Sequence, residues 1–235
     1  EGRPEEAQAH HRRRRLTLLE NLSASELEAI AAEPYEHRGI IHSEMALIID
    51  TIRRLGVEVI IESGRARGQS TYMLAKYLPS RTIHSVELRD DADARYGIER
   101  CSKLPNVVLH SGDGSQLLPA LARAVAPRRT AVICDGPKGM RAIDVVEKCF
   151  DLPSVVVGFI HDMRPMDHRR PAEHRPAAER RLPRHWFSDD PRYVAETMWL
   201  DRNVREVGGP CGPAWEAEMG AYGPTVGAFF NPNIN

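Results

Sequence analysis

The stretch Val57–Thr71, VEVIIESGRARGQST, decides the fold. Its opening residues form an apolar run that predicts a buried strand, and this run ends at Glu62-Ser63-Gly64. A second glycine follows at Gly68, and the segment after it has the pattern of a helix that Pro79 ends. A strand, a glycine turn and a helix in this order direct backbone N–H groups and a helix N-terminus towards a ligand. We therefore expect a ligand site here, although Gly-x-x-x-Gly is not the dinucleotide fingerprint.

The composition favours one α/β domain with additions rather than two domains. The chain has 235 residues, of which 28% are charged, and its net charge of -1 makes nucleic acid an unlikely partner. Its apolar stretches are shorter than the roughly 20 residues that span a bilayer, so we expect no membrane segment. The first residues are polar and basic with no apolar run after them, so we do not expect a signal peptide. Four scattered cysteines without a Cys-x-x-Cys pair indicate a reducing, cytoplasmic setting.

Four regions follow from the changes in composition along the chain. Residues 1–15 are charged and predict a flexible basic tail, and residues 16–56 predict a helical extension. In that extension we expect helices over about 16–32 and 43–55, the first capped by Ser23 or Ser25. Residues 57–235 form the main domain. Within it, residues 164–192 are rich in Arg, Pro and His and have few aliphatic residues, so we interpret them as a lid-like insertion without a core element of its own.

From Val57 onward, apolar strands alternate regularly with helical segments. The predicted strands cover residues 57–62, 82–88, 106–111, 130–134 and 154–160. Such alternation is typical of right-handed βαβ units, and therefore of a parallel sheet that helices cover on both faces. A further helix is expected over 193–204. Residues 225–230 predict a last strand, antiparallel and at the edge of the sheet, because no room remains for another crossover helix.

Each predicted strand ends in a polar or glycine-containing cluster. In open α/β sheets, ligands bind outside the carboxyl ends of the strands. The five clusters are Glu62/Gly64, Glu87, Gly112-Asp113, Asp135-Gly136 and His161-Asp162. Turn chemistry alone does not readily explain five such ends in a row.

Two of these ends suggest a pocket for an adenosine-bearing ligand. Glu87 follows the first glycine by about twenty residues, and a carboxylate in that place accepts hydrogen bonds from both ribose hydroxyls in dinucleotide folds. Asp113, between two glycines, could accept a hydrogen bond from the exocyclic amine of an adenine. A P-loop for triphosphates is disfavoured, because the sequence around these ends has no Gly-x-x-x-x-Gly-Lys-Ser/Thr motif.

In this order and spacing, the motifs resemble those of class I S-adenosylmethionine (SAM)-dependent methyltransferases over about residues 40–163 and the final strand. The resemblance implies a Rossmann-like, doubly wound α/β fold, with a mostly parallel seven-stranded sheet whose last strand is antiparallel. It also implies SAM as cofactor and methyl transfer to a small-molecule acceptor. The cofactor-binding residues that it implies are Glu62, Gly64, Gly68, Ser70, Glu87, Gly112, Asp113 and Asp135.

Within this class, the ends of strands four and five resemble those of small-molecule and sugar O-methyltransferases. This resemblance implies Mg²⁺ bound by Asp135 and Asp162, which would orient an acceptor hydroxyl and lower its pKa. The sequence departs from the family pattern at Pro137-Lys138 and at His161. His161 is alternatively a general base, and Lys138 is either a base with a lowered pKa or a partner for an anionic substrate. We expect His161, Asp135 and Lys138 to be the catalytic residues.

Two other functions remain open at this point. A nicotinamide-dependent oxidoreductase uses a similar sheet, but the missing Gly-x-Gly-x-x-Gly counts against it. A non-catalytic interaction module is the other alternative, because fold alone does not determine function. We expect the acceptor pocket to involve the N-terminal helices, residues 164–192 and the surroundings of Trp186 and Trp215, for which packing is the more common role. The sequence leaves the oligomeric state open, including a homo-oligomer.

Overall fold

The computed structural model describes residues 18–36, 39–163, 174–211, 222–223 and 225–234. The predicted tail, residues 1–15, lies outside these ranges. The strands are β1 (Val59–Ser63), β2 (Thr82–Glu87), β3 (Val107–Ser111), β4 (Thr130–Cys134), β5 (Val155–Ile160), β6 (His185–Phe187) and β7 (Gly227–Phe230). The helices are α1 (Ala24–Ala31), α2 (His42–Arg54), α3 (Gln69–Tyr77), α4 (Ala92–Cys101), α5 (Gly114–Val125), α6 (Met140–Phe150), α7 (His174–Arg181), α8 (Pro191–Thr197) and α9 (Arg202–Glu206), with a 3-10 turn at Met198–Asp201.

The strands form one seven-stranded sheet in the order β3-β2-β1-β4-β5-β7-β6. Strands β1 to β5 pair in parallel, and β7 is antiparallel to both of its neighbours. This confirms the predicted Rossmann-like, mostly parallel fold with an antiparallel last strand. The strand order reverses between β1 and β4, where ligands of such sheets bind.

A hydrophobic core lies on each face of the sheet, because successive strand side chains point to opposite faces. In β1, Ile60 packs with the core that α1, α2 and α3 cover, whereas Val59 and Ile61 pack with the core under α5, α6 and α7. Ser23 caps α1 and forms a capping box with Glu26, as the sequence predicted. The expected helix over about 16–32 is wrong at its start, because residues 18–23 are not helical and the cap at Ser23 begins the helix at Ala24. Among the described residues, no helix has both the length and the apolar character needed to cross a membrane.

Three expectations about the C-terminal part of the chain are wrong. Strand β7 is not at the edge, because β6 pairs with its outer side. The segment 164–192 does contribute to the core, since β6 and α7 both lie in it and Ala178 and Phe187 are buried. The expected helix over 193–204 is interrupted by the 3-10 turn between α8 and α9. The interpretation of 164–192 as a lid stays a prediction, because residues 164–173 lie outside the described ranges.

Candidate active site at the carboxyl edge of the sheet

The glycine turn after β1 lies directly against the loop after β4. Gly64 has a φ of +92°, and a Cβ built on it would lie 2.9 Å from the carbonyl carbon of Asp135. Gly68, just before α3, has a φ of +77°. Residues other than glycine rarely adopt either backbone conformation. Glycine at position 64 therefore lets the two loops meet at the point where the strand order reverses.

Glu62, at the end of β1, is 1% exposed, and its hydrogen bonds are made to other side chains of the protein. One carboxyl oxygen accepts a hydrogen bond from Ser70, and the other accepts hydrogen bonds from Thr71 and Ser85. Burial raises the pKa of Glu62, and the hydrogen bonds of the three hydroxyls oppose that shift. Glu62 and Ser70 thus tie β1 to the first turn of α3 and to β2, and they support the glycine turn.

Glu87, at the end of β2, holds the backbone around it. One of its carboxyl oxygens accepts a hydrogen bond from the N–H of Ala66 at 2.7 Å, and the other accepts one from the N–H of Arg89 at 2.9 Å. The side chain of Glu87 therefore reaches from β2 to the glycine turn. A ligand that lies across the ends of β1 and β2 would lie beside it. Its contact with a ribose stays a prediction.

Gly112 and Asp113 follow β3, the next strand along the same edge. Asp113 caps α5 by accepting a hydrogen bond from the N–H of Ser115 at 2.8 Å. The pKa of Asp113 is lowered by its hydrogen bonds with Ser115 and by nearby Arg141. The predicted contact of Asp113 with an adenine is not tested by this geometry. The order of Gly64, Glu87 and Gly112 along three neighbouring strand ends agrees with the sequence interpretation.

A small pocket opens at the glycine turn. Its lining includes Gly64, Arg65, Ser70 and Asp135. Arg65 is 2% exposed and donates a hydrogen bond to the carbonyl oxygen of Ser85 at 2.8 Å, while its buried Nε has no hydrogen-bond partner among the described residues. A buried polar group without a partner costs free energy, so the side chain of Arg65 is held beside the pocket with one donor unsatisfied.

Glu36, in the loop before α2, also lines this pocket. Its carboxylate pairs with Arg67 at 3.0 Å and with Arg100 at 3.2 Å. Its backbone N–H donates to the side chain of Gln69 at 2.6 Å, and Gln69 also lines the pocket. Sequence reasoning missed Glu36, because it lies in the loop before α2 and far along the chain from the turn that it contacts.

Another group of polar side chains lies at the ends of β4 and β5, beside the pocket at the glycine turn. We call Asp135, Lys138, His161 and Asp162 the charged cluster. The Nζ of Lys138 contacts Asp135 and lies 2.6 Å from Asp162. His161 Nδ1 donates to Asp135 at 2.8 Å. The structure therefore brings together the residues that the sequence singled out at these two strand ends.

Glu44 in α2 contacts the charged cluster through His161, and sequence reasoning missed it. Its carboxylate is 1% exposed, accepts a hydrogen bond from His161 Nε2 at 3.1 Å and accepts another from Ser188 at 3.1 Å. A glutamate in an apolar helix with no basic residue four positions later was a signal that a partner lies elsewhere in the chain. The sequence contains no indication that this partner is His161.

The cluster stabilises the charged forms of its members. Burial alone would lower the pKa of His161, but Asp162, Asp135 and Glu44 raise it well above its usual value. Burial opposes ionisation of Asp135 as well, yet Lys138 and His161 lower its pKa. The pKa of Lys138 is raised by Asp135 and Asp162 against the effect of burial. Burial raises the pKa of Glu44, and His161 opposes that shift. These directions favour a protonated His161 and an ammonium group on Lys138 beside an ionised Asp135.

The charged cluster does not fit a divalent cation well. Asp135, His161 and Asp162 each offer one ligand atom, and these atoms lie within 4.8 Å of one another. However, Lys138 pairs with both carboxylates, and His161 donates to Asp135 and Glu44 through its two nitrogens. A metal-bound histidine needs a nitrogen lone pair that faces the ion, and both ring nitrogens of His161 already lie within 3.1 Å of carboxylate oxygens. The positive charge that these carboxylates need is already supplied by the protein.

The two tryptophans take different places. Trp186 in β6 packs edge-on against Tyr193, with ring centroids 4.9 Å apart, which agrees with a packing role. Trp215 lies outside the described residues. The expected contribution of Trp215 to an acceptor pocket therefore stays a prediction.

No protein-family model matches the chain, and no curated protein matches it. Solved structures do match. The O-methyltransferase TomG from Streptomyces achromogenes, solved in complex with SAM, has a TM-score of 0.58 and 14% identity, and the match covers 91% of this chain and 98% of TomG. Cofactor-bound Rv0187 from MTB has a TM-score of 0.54 and 14% identity, with 99% and 100% covered. The chain has the fold of these proteins over nearly its whole length.

Proposed function

We propose that this protein is a SAM-dependent methyltransferase that transfers a methyl group to a hydroxyl oxygen of a small-molecule acceptor. One observation carries the proposal: the glycine turn, Glu87 and Gly112-Asp113 lie in sequence along the ends of β1, β2 and β3, beside the reversal of strand order. An adenosine ligand that lies across these ends would meet a backbone turn, a ribose acceptor and an adenine acceptor in turn. The likeness in fold to TomG, which was solved with SAM, supports the same interpretation.

The residues of the cofactor site divide into those that contact the ligand and those that support them. We assign Gly64, Gly68 and Gly112 to close backbone approach, Glu87 to the ribose and Asp113 to the adenine. Glu62 and Ser70 support the turn through their mutual hydrogen bond. We assign the pocket at the turn, which Arg65 and Ser70 line, to the amino-acid end of the ligand. When bound, SAM supplies a methyl group already activated by its sulfonium.

The charged cluster is the acceptor side of the proposed site. Methyl transfer requires that the acceptor oxygen be held in line and lose its proton. A carboxylate of Asp135 or Asp162 accepts that proton, while Lys138 donates a hydrogen bond to the oxygen as it loses the proton. His161 has no free lone pair in its charged form, so we assign it to positioning Asp135 rather than to the base. Glu44 in turn holds His161.

Cofactor binding is tested by thermal denaturation in the presence of SAM, S-adenosylhomocysteine, NAD and NADP. A ligand at 100 times its Kd adds about 2.7 kcal/mol to the free energy of unfolding. For a chain of this size, that corresponds to a rise of about 5–10 °C in Tm. We expect this shift with SAM and S-adenosylhomocysteine and not with NAD or NADP.

Two variants make the thermal test specific. Glu87→Ala removes the proposed ribose acceptor and should reduce the shift to about half or less, whereas Glu99→Ala, on the exposed face of α4, should leave it unchanged. A shift with only the nicotinamide cofactors would instead support the oxidoreductase. No shift with any of the four ligands would contradict the methyltransferase and favour the interaction module.

A further inference from the structure

We propose that Lys138 supplies the positive charge between Asp135 and Asp162 that a divalent cation would supply, so that an ammonium group binds the acceptor oxygen. On this account methyl transfer needs no divalent metal ion. The inference rests on the proposed function for the identity of the reaction. The placement of the Lys138 ammonium group between the two carboxylates rests on the structure alone.

The position of Lys138 carries the first step of the argument. The turn from Asp135 to Lys138 returns the lysine side chain over the end of β4, where its Nζ contacts Asp135. The same nitrogen lies 2.6 Å from Asp162, which follows β5. One ammonium group thus bridges carboxylates from two neighbouring strand ends, and that is where a bound cation would have to be held.

The balance of charge carries the second step. Besides the ammonium group of Lys138, both ring nitrogens of His161 are already engaged: Nδ1 lies 2.8 Å from Asp135 and Nε2 lies 3.1 Å from Glu44, and the ring is 7% exposed. Among the described residues, Lys138 and His161 therefore already occupy oxygens of three carboxylates at this edge. A divalent ion added to them would bring like charges within a few ångströms, and hard cations such as Mg²⁺ need several oxygen ligands that are not already paired.

The exposure of Lys138 carries the third step. Its side chain is 40% exposed, against 18% for Asp135 and 12% for Asp162, so it is the most accessible member of the charged cluster. An ammonium group has three N–H donors. Among the described residues, Lys138 has hydrogen-bond partners for two of them, Asp135 and Asp162. The third is available for an acceptor oxygen.

The chemistry of an ammonium group narrows the class of acceptor. A divalent cation can bind two neighbouring oxygens at once, as in a vicinal diol or catechol, because it has several coordination positions. Lys138 is a point charge with one remaining donor. We therefore expect an acceptor with a single acidic hydroxyl, such as a phenol or an enol, whose developing negative charge the ammonium stabilises.

Direct titration with Mn²⁺, followed by its electron paramagnetic resonance signal, tests the site without any enzymatic assay. We expect no saturable binding to the unaltered protein at millimolar Mn²⁺. We expect saturable binding to Lys138→Ala, because that change removes the ammonium and leaves both carboxylates. Lys148→Ala, an exposed lysine on α6, is the matched control and should resemble the unaltered protein.

Two results would overturn this inference. One is saturable Mn²⁺ binding to the unaltered protein that Asp162→Asn abolishes. The other is the absence of binding in both Lys138→Ala and Lys138→Met, in proteins shown by their melting curves to be folded. If Lys138→Ala does not fold, Lys138→Met keeps most of the aliphatic stem, and the titration of the unaltered protein still decides.

S-adenosylhomocysteine binding, measured on the same samples, separates this inference from the proposed function. If the unaltered protein binds neither Mn²⁺ nor S-adenosylhomocysteine while Lys138→Ala binds Mn²⁺, the inference about the cation site holds and the proposed function fails. If the unaltered protein binds both, the proposed cofactor is supported and the inference fails.

Discussion

Glu62 and Glu44 are both only 1% exposed, yet they are stabilised in different ways. Glu62, at the end of β1, accepts hydrogen bonds from neutral hydroxyl groups, those of Ser70, Thr71 and Ser85. Glu44, in α2, accepts one from the cationic ring of His161 and one from Ser188. Burial raises the pKa of both side chains; neutral hydroxyl groups oppose that shift at Glu62, whereas His161 opposes it at Glu44.

The two glutamates also differ in how far along the chain their partners lie. The hydroxyl partners of Glu62 are 8, 9 and 23 residues away, whereas the partners of Glu44 are 117 and 144 residues away. The proposed cofactor side is therefore built mostly from short-range motifs. The proposed acceptor side is assembled from α2, β4, β5 and the loop after β6, so it exists only once the sheet has formed.

The largest expected effect is that of His161→Ala. This change leaves Glu44 buried without its cationic partner, and removing one member of a buried ion pair costs about 3–5 kcal/mol in the free energy of unfolding. Urea denaturation measures it. In the double variant His161→Ala/Glu44→Gln, the cost should be smaller than the sum of the two single changes, because the double variant contains neither member of the pair and so leaves neither partner alone. A loss below about 1 kcal/mol, or strict additivity, would contradict the ion pair.

A smaller effect is expected for Glu62→Gln. The amide keeps the size of the side chain, and the hydroxyls of Ser70, Thr71 and Ser85 can act as acceptors or donors, so they can rotate to pair with it. We expect a cost of about 1 kcal/mol in the free energy of unfolding. The matched change Glu44→Gln, which removes the charge facing His161, should cost more. Equal costs at the two positions would remove the distinction between them.

The smallest effect concerns Glu26, a glutamate that is 34% exposed and pairs with Arg53 at 2.6 Å. The hydrogen bond from Arg53 is the main cause that lowers its pKa from 4.5 to about 2. Because the pKa is lower in the folded protein, the pair stabilises fully above about pH 4.5 and loses this effect as the pH falls towards 2. Solvent screening limits the contribution to under about 1 kcal/mol.

Urea denaturation between pH 6 and pH 3 measures the contribution of Glu26, with Glu26→Gln as the reference. The variant should lose less stability over this interval than the unaltered protein, because its side chain does not titrate. If both proteins lose stability equally, then the pair of Glu26 and Arg53 makes no pH-dependent contribution.

Most of the fold could be predicted from the sequence because its signals are local. Apolar runs separated by helical segments marked the five parallel strands, and the observed bounds differ from the predicted ones by only a few residues. The cap at Ser23 was also local, since Glu26 lies three residues further on. Strand β6 was missed because it has three residues and lies in a segment rich in Arg, Pro and His. Strand β6 pairs with β7, a contact between segments about 40 residues apart that no local pattern predicts.

The candidate site was predictable only in part. Strand ends meet at one edge, so the proximity of Asp135 and Asp162 followed from the fold class. The contact of Lys138 with both carboxylates did not follow, because it depends on the path of the turn from Asp135 to Lys138. Glu44 and Ser188 were missed for the same physical reason, namely that side-chain pairing between distant elements is determined by packing and not by spacing.

Calorimetric titration of the unaltered protein with S-adenosylhomocysteine tests the central claim most directly. The account predicts saturable binding at one site, and it predicts that Glu87→Ala weakens this binding by at least about tenfold, which corresponds to about 1.4 kcal/mol. The exposed control Glu99→Ala should bind as the unaltered protein does. Failure of the unaltered protein to bind S-adenosylhomocysteine, or binding of the same strength in Glu87→Ala, would contradict the account.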